Sequence, residues 1–192
     1  ALASWLQSQG VKKGDRVALM MPNMLQYPIS LYGVLRSGAT IINTNPLYTA
    51  RELRHQLQDS GAETIIIEEN FAHVLQEILH ETPIKRIIVT SVGDCLGSFK
   101  GWLVNQVVRH IKKGVPAWSL PGSVSFKAVL AQGRGRAPAP VTLTHDDIAC
   151  LQYTGGTTGV AKGAILTHGN LVSNLSQALS WIRPYLKEGQ ID

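Results

Sequence analysis

Short apolar runs alternate along the first half of the chain with stretches in which apolar residues return every three or four positions. The runs are "RVALMM" (16–21), "ATIIN" (39–43), "ETIIIE" (63–68) and "KRIIVT" (85–90). Runs of that length, bounded by turn-forming residues, predict buried strands. Between them, "MLQYPISLYGVLRSG" (24–38) has helical spacing at Leu25, Ile29, Leu31, Tyr32 and Leu35, closes at Gly38, and carries Pro28 early enough for a helix to tolerate it. In "TARELRHQLQDSG" (49–61), Thr49 and Glu52 predict a capping box, Leu53 and Leu57 an inward stripe, and Gly61 a stop. Asn70 is expected to cap a helix through "FAHVLQEILH", with Phe71, Val74, Leu75, Ile78 and Leu79 inward. Ala1 to Ser8 reads as a further helix. Strands and helices in alternation predict an α/β fold, a mostly parallel sheet flanked by helices.

The second half is less regular. "FKGWLVNQVVRHIKKGVPAW" (99–118) holds an amphipathic segment, with Leu103, Val104, Val107, Val108 and Ile111 apolar and Lys100, Arg109, Lys112 and Lys113 around them. "SVSFKAVLAQG" (123–133) predicts a short helix, and the glycine- and proline-rich stretch 134–147 a linker. Then follow a strand "IACLQYT", a glycine-rich loop, a second strand around "AILT", and a helix from about Gly169 to Ile182. Leu171, Leu175, Leu179 and Ile182 are its expected buried stripe. The chain thus divides into a first α/β portion (1–133), the linker (134–147) and a strand–loop–strand–helix unit (148–192). No internal repeat is visible.

A hydrophobic share of 44% with 16% charged residues is that of a globular protein, not a disordered one. The net charge of +5 is spread over separated pairs such as Lys12–Lys13, Lys85–Arg86 and Lys112–Lys113. Without a run of basic residues or aromatic interleaving, it argues against nucleic acid as a partner. Cys95 and Cys150 have no paired spacing, which fits a reducing compartment. No apolar run approaches the roughly 20 residues that span a bilayer. The chain begins inside a helix without Met and ends just past another, so it reads as part of a longer protein.

The densest chemistry lies in "LQYTGGTTGVAKGAILTH" (151–168). A Walker loop requires G-x-x-x-x-G-K-[ST]; here Val160 or Ala161 stands where its second glycine belongs, and Lys162 is followed by Gly163. The dinucleotide pattern G-x-G-x-x-G fails at Thr157. The donors remain. Gly155, Gly156 and Gly159 allow positive φ and close approach of backbone N–H groups to an anion. Thr154, Thr157 and Thr158 add hydroxyls, and Lys162 adds a mobile charge. A polyphosphate suits this set; a plain turn rich in Gly and Thr is the alternative.

The string "YTGGTTGVAKG" followed by "THGN" resembles the signature [YF]-T-[SG]-G-[ST]-T-G-x-[PA]-K-G of the adenylate-forming enzymes, which include acyl-CoA synthetases. "GVKKGDRVALMMPN" and "NPLYTARELRHQLQDSGA" are similar to earlier segments of the same family. Gly156, the Gly-Val-Ala-Lys-Gly ending and the long basic middle resemble its bacterial long-chain fatty acid–CoA ligases. The resemblance implies ATP-dependent activation of a fatty acid through an acyl-adenylate to acyl-CoA, with AMP and pyrophosphate released. ATP, Mg²⁺ and coenzyme A would take part, in the cytoplasm or peripherally on the inner face of the cytoplasmic membrane. Residues Tyr153, Thr154, Gly155, Gly156, Thr157, Thr158, Gly159, Val160, Ala161, Lys162 and Gly163 would form the nucleotide-phosphate site, with Tyr153 and Gly163 as its frame. A downstream Y-G-x-T-E segment, a ribose-binding Asp and a C-terminal lysine are expected of the family and absent, so no complete catalytic set is expected in these 192 residues and no turnover by them alone. Other adenylate-forming ligases, or a non-catalytic nucleotide-binding or membrane-associated module, are the alternatives.

His73, Glu77 and His80, at i, i+4 and i+7, read as the wet face of a helix, with a metal site the lesser alternative. His145–Asp146–Asp147 reads as a polar turn, with a cation site the lesser alternative. His168 and Asn170 read as structural, with Thr167 competing with Asn170 to cap the next helix. Segment 100–113 would bury its apolar stripe against the domain or lie on an anionic membrane surface.

Overall fold

All the strand signals are realised, and they join one sheet. In the computed structural model, which describes residues 1–154 and 161–185, β1 (Arg16–Met20), β2 (Thr40–Thr44), β3 (Thr64–Glu68), β4 (Arg86–Thr90), β5 (Val124–Ser125), β6 (Ile148–Thr154) and β7 (Lys162–Thr167) lie in the order β5-β4-β3-β1-β2-β6-β7. Every neighbouring pair is parallel except the antiparallel β6–β7. The run Ile65–Ile66–Ile67 is continuous because both faces of the sheet are covered. Ile66 packs with Leu6, Val34 and Phe126, whereas Ile65 and Ile67 pack with Leu53, Leu57 and Leu75. Helices α1 (Leu2–Ser8), α2 (Gln26–Ser37) and α6 (Phe126–Gly133) therefore cover one face, and α3 (Ala50–Ser60) and α4 (Ala72–Ile78) the other.

Local signals set several of these elements. In α3 the Thr49 hydroxyl accepts from the Glu52 N–H while the Glu52 carboxylate accepts from the Thr49 N–H at 2.8 Å, a complete capping box. Gly61 ends the helix in the left-handed region at φ 61°.

Three helix faces and one cap depart from the sequence expectation. In α2 the buried positions are Gln26, Ser30, Val34 and Ser37, while Leu25, Ile29 and Tyr32 are exposed. The cause is the close approach of α1, because a Cβ on Gly33 would lie 2.7 Å from Leu2 Cδ2. The side of α2 made of small residues is the side that fits there. Gln26 enters the buried layer by donating to the Ser91 carbonyl at 2.8 Å. Asn70 does not cap α4; a 3₁₀ turn at Glu69–Phe71 precedes the helix, and Asn70 Oδ1 has no partner.

In α5 (Ser98–Gln106) it is Gly101 and Asn105 that face the domain, and Trp102, Leu103 and Ile111 stand in solvent. Gly93 decides this. Its carbonyl would sit 2.2 Å from a Cβ on Gly101, and its N–H donates to Asn105 Oδ1 at 2.7 Å. A π-helical turn, Val107–Ile111, follows and swings Arg109 onto buried Glu69 at 2.6 Å. Finally, α7 (His168–Ile182) buries none of its residues; Leu171, Leu175, Leu179 and Ile182 are all exposed, Leu175 by 60%. Among the described residues nothing covers that stripe.

Residues 134–147 form no regular element but are tied along the sheet's lower edge. Ser4 donates to the Arg136 carbonyl, Gln7 pairs both ways with the Ala139 backbone, and Lys13 donates to the Thr142 carbonyl. Val141 seats against Gly38, which has φ 87° and where a Cβ would lie 2.7 Å from Val141 Cγ1.

Glu68 is 1% exposed at the end of β3, and its Oε1 has no partner. Burial, aided by the neighbouring Glu69 charge, raises its pKa from 4.5 to about 7. In that window the folded chain keeps a proton that the unfolded chain releases, so this stability is present below the unfolded value and lost as pH rises through 7. Melting of the wild type against Glu68→Gln between about pH 5 and pH 8 tests it. The variant is expected to gain on the wild type with rising pH, by on the order of 3 kcal/mol at the alkaline end.

Candidate functional site

The candidate phosphate loop joins β6 to β7. Its central residues, Gly155, Gly156, Thr157, Thr158, Gly159 and Val160, lie outside the described residues; Tyr153, Thr154, Ala161, Lys162 and Gly163 lie within them. These flanking residues are held in register, Thr154 opposite Lys162 and Tyr153 opposite Gly163. Thr154 and Lys162 are exposed, so a hydroxyl and an ammonium start and end the loop side by side.

Tyr153 is buried at 7% exposure and packs among Leu53, Leu57 and Ala161. Its hydroxyl donates to Asp59 Oδ2 at 2.5 Å. Burial first, then that carboxylate, pushes its pKa far up, so it stays a neutral donor. Gly163 makes room for the ring, since a Cβ there would lie 3.0 Å from Tyr153 Cε2. On the return strand the Ala161 carbonyl faces His55 Nε2 at 3.3 Å.

The hairpin stands on β2 through Ile41↔Cys150, Ile42↔Leu151 and Asn43↔Gln152. Asn43 is the hub. Its Oδ1 accepts from the Tyr27 hydroxyl at 2.9 Å and its Nδ2 donates to Gln152 Oε1 at 2.9 Å, while its carbonyl accepts from Gln56 at 2.8 Å. Above this hub, at the carboxyl ends of β1, β2 and β6, lies a cleft of about 300 Å³ lined by Met21, Asn23, Tyr27, Asn45, Tyr48 and Tyr153, among others. Open α/β sheets bind ligands at that end of their strands. The residues lining the cleft offer hydroxyls and amides and carry no formal charge.

The base of the hairpin is pinned to the turn before it. Asp147 accepts from the Thr144 N–H at 2.6 Å and pairs with Lys13 at 2.8 Å, while the His168 and Gly169 N–H groups donate to the Asp147 and His145 carbonyls. His145–Asp146–Asp147 is thus a turn. Thr167 caps α7 and Asn170 completes the box, so the two residues share the cap. His73 and Glu77 lie on α4, whereas His80 lies in the 3₁₀ turn Leu79–Glu81 that follows it, which breaks the i, i+4, i+7 phase. Among the described residues no three His, Cys, Asp or Glu side chains are placed to hold a metal.

Sequence reasoning missed His55, Asp59, Tyr27 and Asn43. The first two lie at i and i+4 beside the apolar stripe of α3, and that spacing was the only available signal.

The mostly parallel sheet covered by helices on both faces, with a glycine-rich hairpin at one edge, defines an α/β class, and the chain belongs to the AMP-binding enzyme family, whose profile matches residues 1–190. It is 54% identical over 191 residues to the long-chain-fatty-acid–CoA ligase of Yersinia pestis, covering 99% of this chain and 34% of that protein. Against the ligase of the same name from Bacillus subtilis strain 168 it is 36% identical over 189 residues, 98% of this chain and 33% of that one. The chain thus spans about a third of the length of these relatives. The crystal structure of a long-chain-fatty-acid-CoA ligase from Archaeoglobus fulgidus superposes with a TM-score of 0.70 at 30% identity, over 93% of this chain and 30% of that one. An anthranilate CoA ligase shares the fold at 22% identity, with a TM-score of 0.68 over 94% of this chain and 30% of that one.

Replacing Asn43 by Leu leaves the Tyr27 hydroxyl and Gln152 Oε1 without their partners. Thermal or denaturant unfolding is expected to show a loss of about 1–3 kcal/mol.

Proposed function

We propose that the chain supplies the triphosphate-gripping portion of an AMP-forming long-chain fatty acid–CoA ligase. The observation that carries this is the placement of the eleven-residue signature 153–163 across the β6–β7 turn, with Thr154 and Lys162 paired at its mouth. The identity to long-chain-fatty-acid–CoA ligases supports the choice of acid over other members of the family.

In the proposed reaction a carboxylate oxygen of the fatty acid attacks the α-phosphorus of ATP. The bond from that phosphorus to its bridging oxygen breaks, and pyrophosphate leaves. The sulfur of coenzyme A then attacks the acyl carbon and AMP departs. Residues Thr154 to Lys162 would hold the β- and γ-phosphates, where charge builds as the bridging bond stretches; backbone N–H groups, hydroxyls and one ammonium stabilise charge there. Mg²⁺ bound to a triphosphate takes phosphate oxygens, water and one or two carboxylates, so it needs no cluster of acidic residues in this chain. Residues 134–147 act in this reading as a strap between the first α/β portion (1–133) and the unit 148–192.

A second reading concerns the exposed face of α5 and its π turn. Phe99, Trp102 and Ile111 are 75%, 56% and 76% exposed, beside Lys100, Lys112 and Lys113. An apolar ridge with a tryptophan and a basic rim matches the interface of an anionic membrane, a source of fatty acid. No helix among the described residues is long and apolar enough to cross a membrane, so the contact is peripheral.

Two measurements on the whole ligase check these readings. Lys162→Ala is expected to lower fatty-acid-dependent exchange of labelled pyrophosphate into ATP by about a hundredfold or more, with melting unchanged; equal exchange in both proteins rejects the loop as the site. Flotation with phosphatidylglycerol vesicles is expected to fall when Lys112 and Lys113 are both changed to Glu and again for Trp102→Ala. Unaltered flotation in both rejects the membrane contact.

A further inference from the structure

The two strands that enter and leave residues 155–160 are both fastened to one helix. On the way in, the Tyr153 hydroxyl donates to Asp59 Oδ2 at 2.5 Å. On the way out, the Ala161 carbonyl faces His55 Nε2 at 3.3 Å. A carbonyl can only accept, so Nε2 carries the hydrogen there. His55 and Asp59 lie one turn apart on α3, roughly 6 Å along its axis, which is a short bridge across the mouth of a hairpin.

The helix is itself immobilised. Its first turn is closed by the Thr49–Glu52 box, Gln56 donates to the Asn43 carbonyl, and Arg54 pairs with Glu81 at 2.6 Å. Tyr153 is fixed laterally as well, by Leu53 and Leu57 on one side and by Gly163, which leaves its ring space, on the other.

We propose that His55 and Asp59 are positioning residues for the phosphate site, a clamp on α3 that sets where Thr154 and Lys162 stand by holding the adjacent Tyr153 and Ala161. The inference rests on the reading of 153–163 as the phosphate grip and deepens it. Neither side chain need touch nucleotide. Each fixes one stem, and the pair fixes the separation and direction of the two stems together. Donors aimed at a leaving group act only when already in place, so a small displacement costs rate in the transition state more than it costs binding.

The two half-reactions separate this role from plain support of the fold. Pyrophosphate leaves in the first half only; transfer of the acyl group from preformed acyl-adenylate to coenzyme A involves no β- or γ-phosphate. In the whole ligase, Asp59→Ala and His55→Ala are each expected to lower kcat for adenylate formation tenfold to a hundredfold, with the KM for fatty acid unchanged and thioester formation from added acyl-adenylate near wild type. Asp59→Asn keeps an oxygen that accepts from Tyr153 and is expected to restore most of the rate. Tyr153→Phe is expected to match Asp59→Ala, and the double variant to be no worse than either alone, because both remove one hydrogen bond.

Equal loss in both half-reactions, or no rescue by Asp59→Asn, overturns the clamp and leaves the pair as fold support. Unchanged adenylation in the alanine variants overturns it outright. If the wild type shows no acid-dependent exchange, the ligase reading fails by itself. The clamp is then decided by calorimetric binding of inorganic pyrophosphate, which the alanine variants are expected to weaken and which, if unaltered, overturns it.

Discussion

The ladder between β2 and β6 is the constraint on which the site depends. It joins segments more than a hundred residues apart through Ile41↔Cys150, Ile42↔Leu151 and Asn43↔Gln152. Side chains reinforce it at both ends, Thr40 donating to the Ile148 carbonyl at 3.0 Å and Asn43 donating to Gln152. Because parallel strands cannot be joined by a tight turn, the chain first builds β3, β4 and β5 on the far side of β1 and then returns by the 134–147 strap. A slip of one residue in this ladder would turn Tyr153 from the α3 face to the opposite face and carry every stem contact with it.

From that ladder the chemistry follows in order. β6 arrives parallel, so its carboxyl end meets those of β1 and β2 and completes a polar cleft. The chain then reverses into β7, the only antiparallel pairing among the described residues, and that reversal sets a threonine and a lysine opposite one another. The glycines provide bare backbone between them, and α3 holds both stems. The core beneath is apolar on both faces, which makes it a rigid base for the two stems of the hairpin.

The exposed apolar faces belong to the same account. The α7 stripe and the α5 ridge both show the spacing of buried helices, yet neither is covered among the described residues. They differ in kind. The α5 ridge is rimmed by lysines and turned outward by a glycine–glycine contact with Gly93, with Arg109 locked onto buried Glu69. The α7 stripe carries no lysine among the described residues, and its helix is anchored at its start by the Thr167–Asn170 cap and by the His168 and Gly169 N–H bonds to the Asp147 and His145 carbonyls.

What the sequence determined by itself was most of the strands and helices and the contiguous signature between β6 and β7, while the short strand β5, the 3₁₀ turn before α4 and the π turn after α5 had no local signal. Strand runs, the Thr49–Glu52 box, Gly38 and Gly61 act within a few residues of chain, and the phosphate signature is contiguous, so each is visible in one reading frame. Only the tertiary structure decided which side of each helix is inward. A hydrophobic stripe says that a face seeks cover, but Gly33 against Leu2 and Gly101 against Gly93 decide which face reaches it. It also decided the partners of the loop. Tyr153 and Asp59 are 94 positions apart and Ala161 and His55 are 106, and no local pattern encodes a contact made only when β6 has docked on β2.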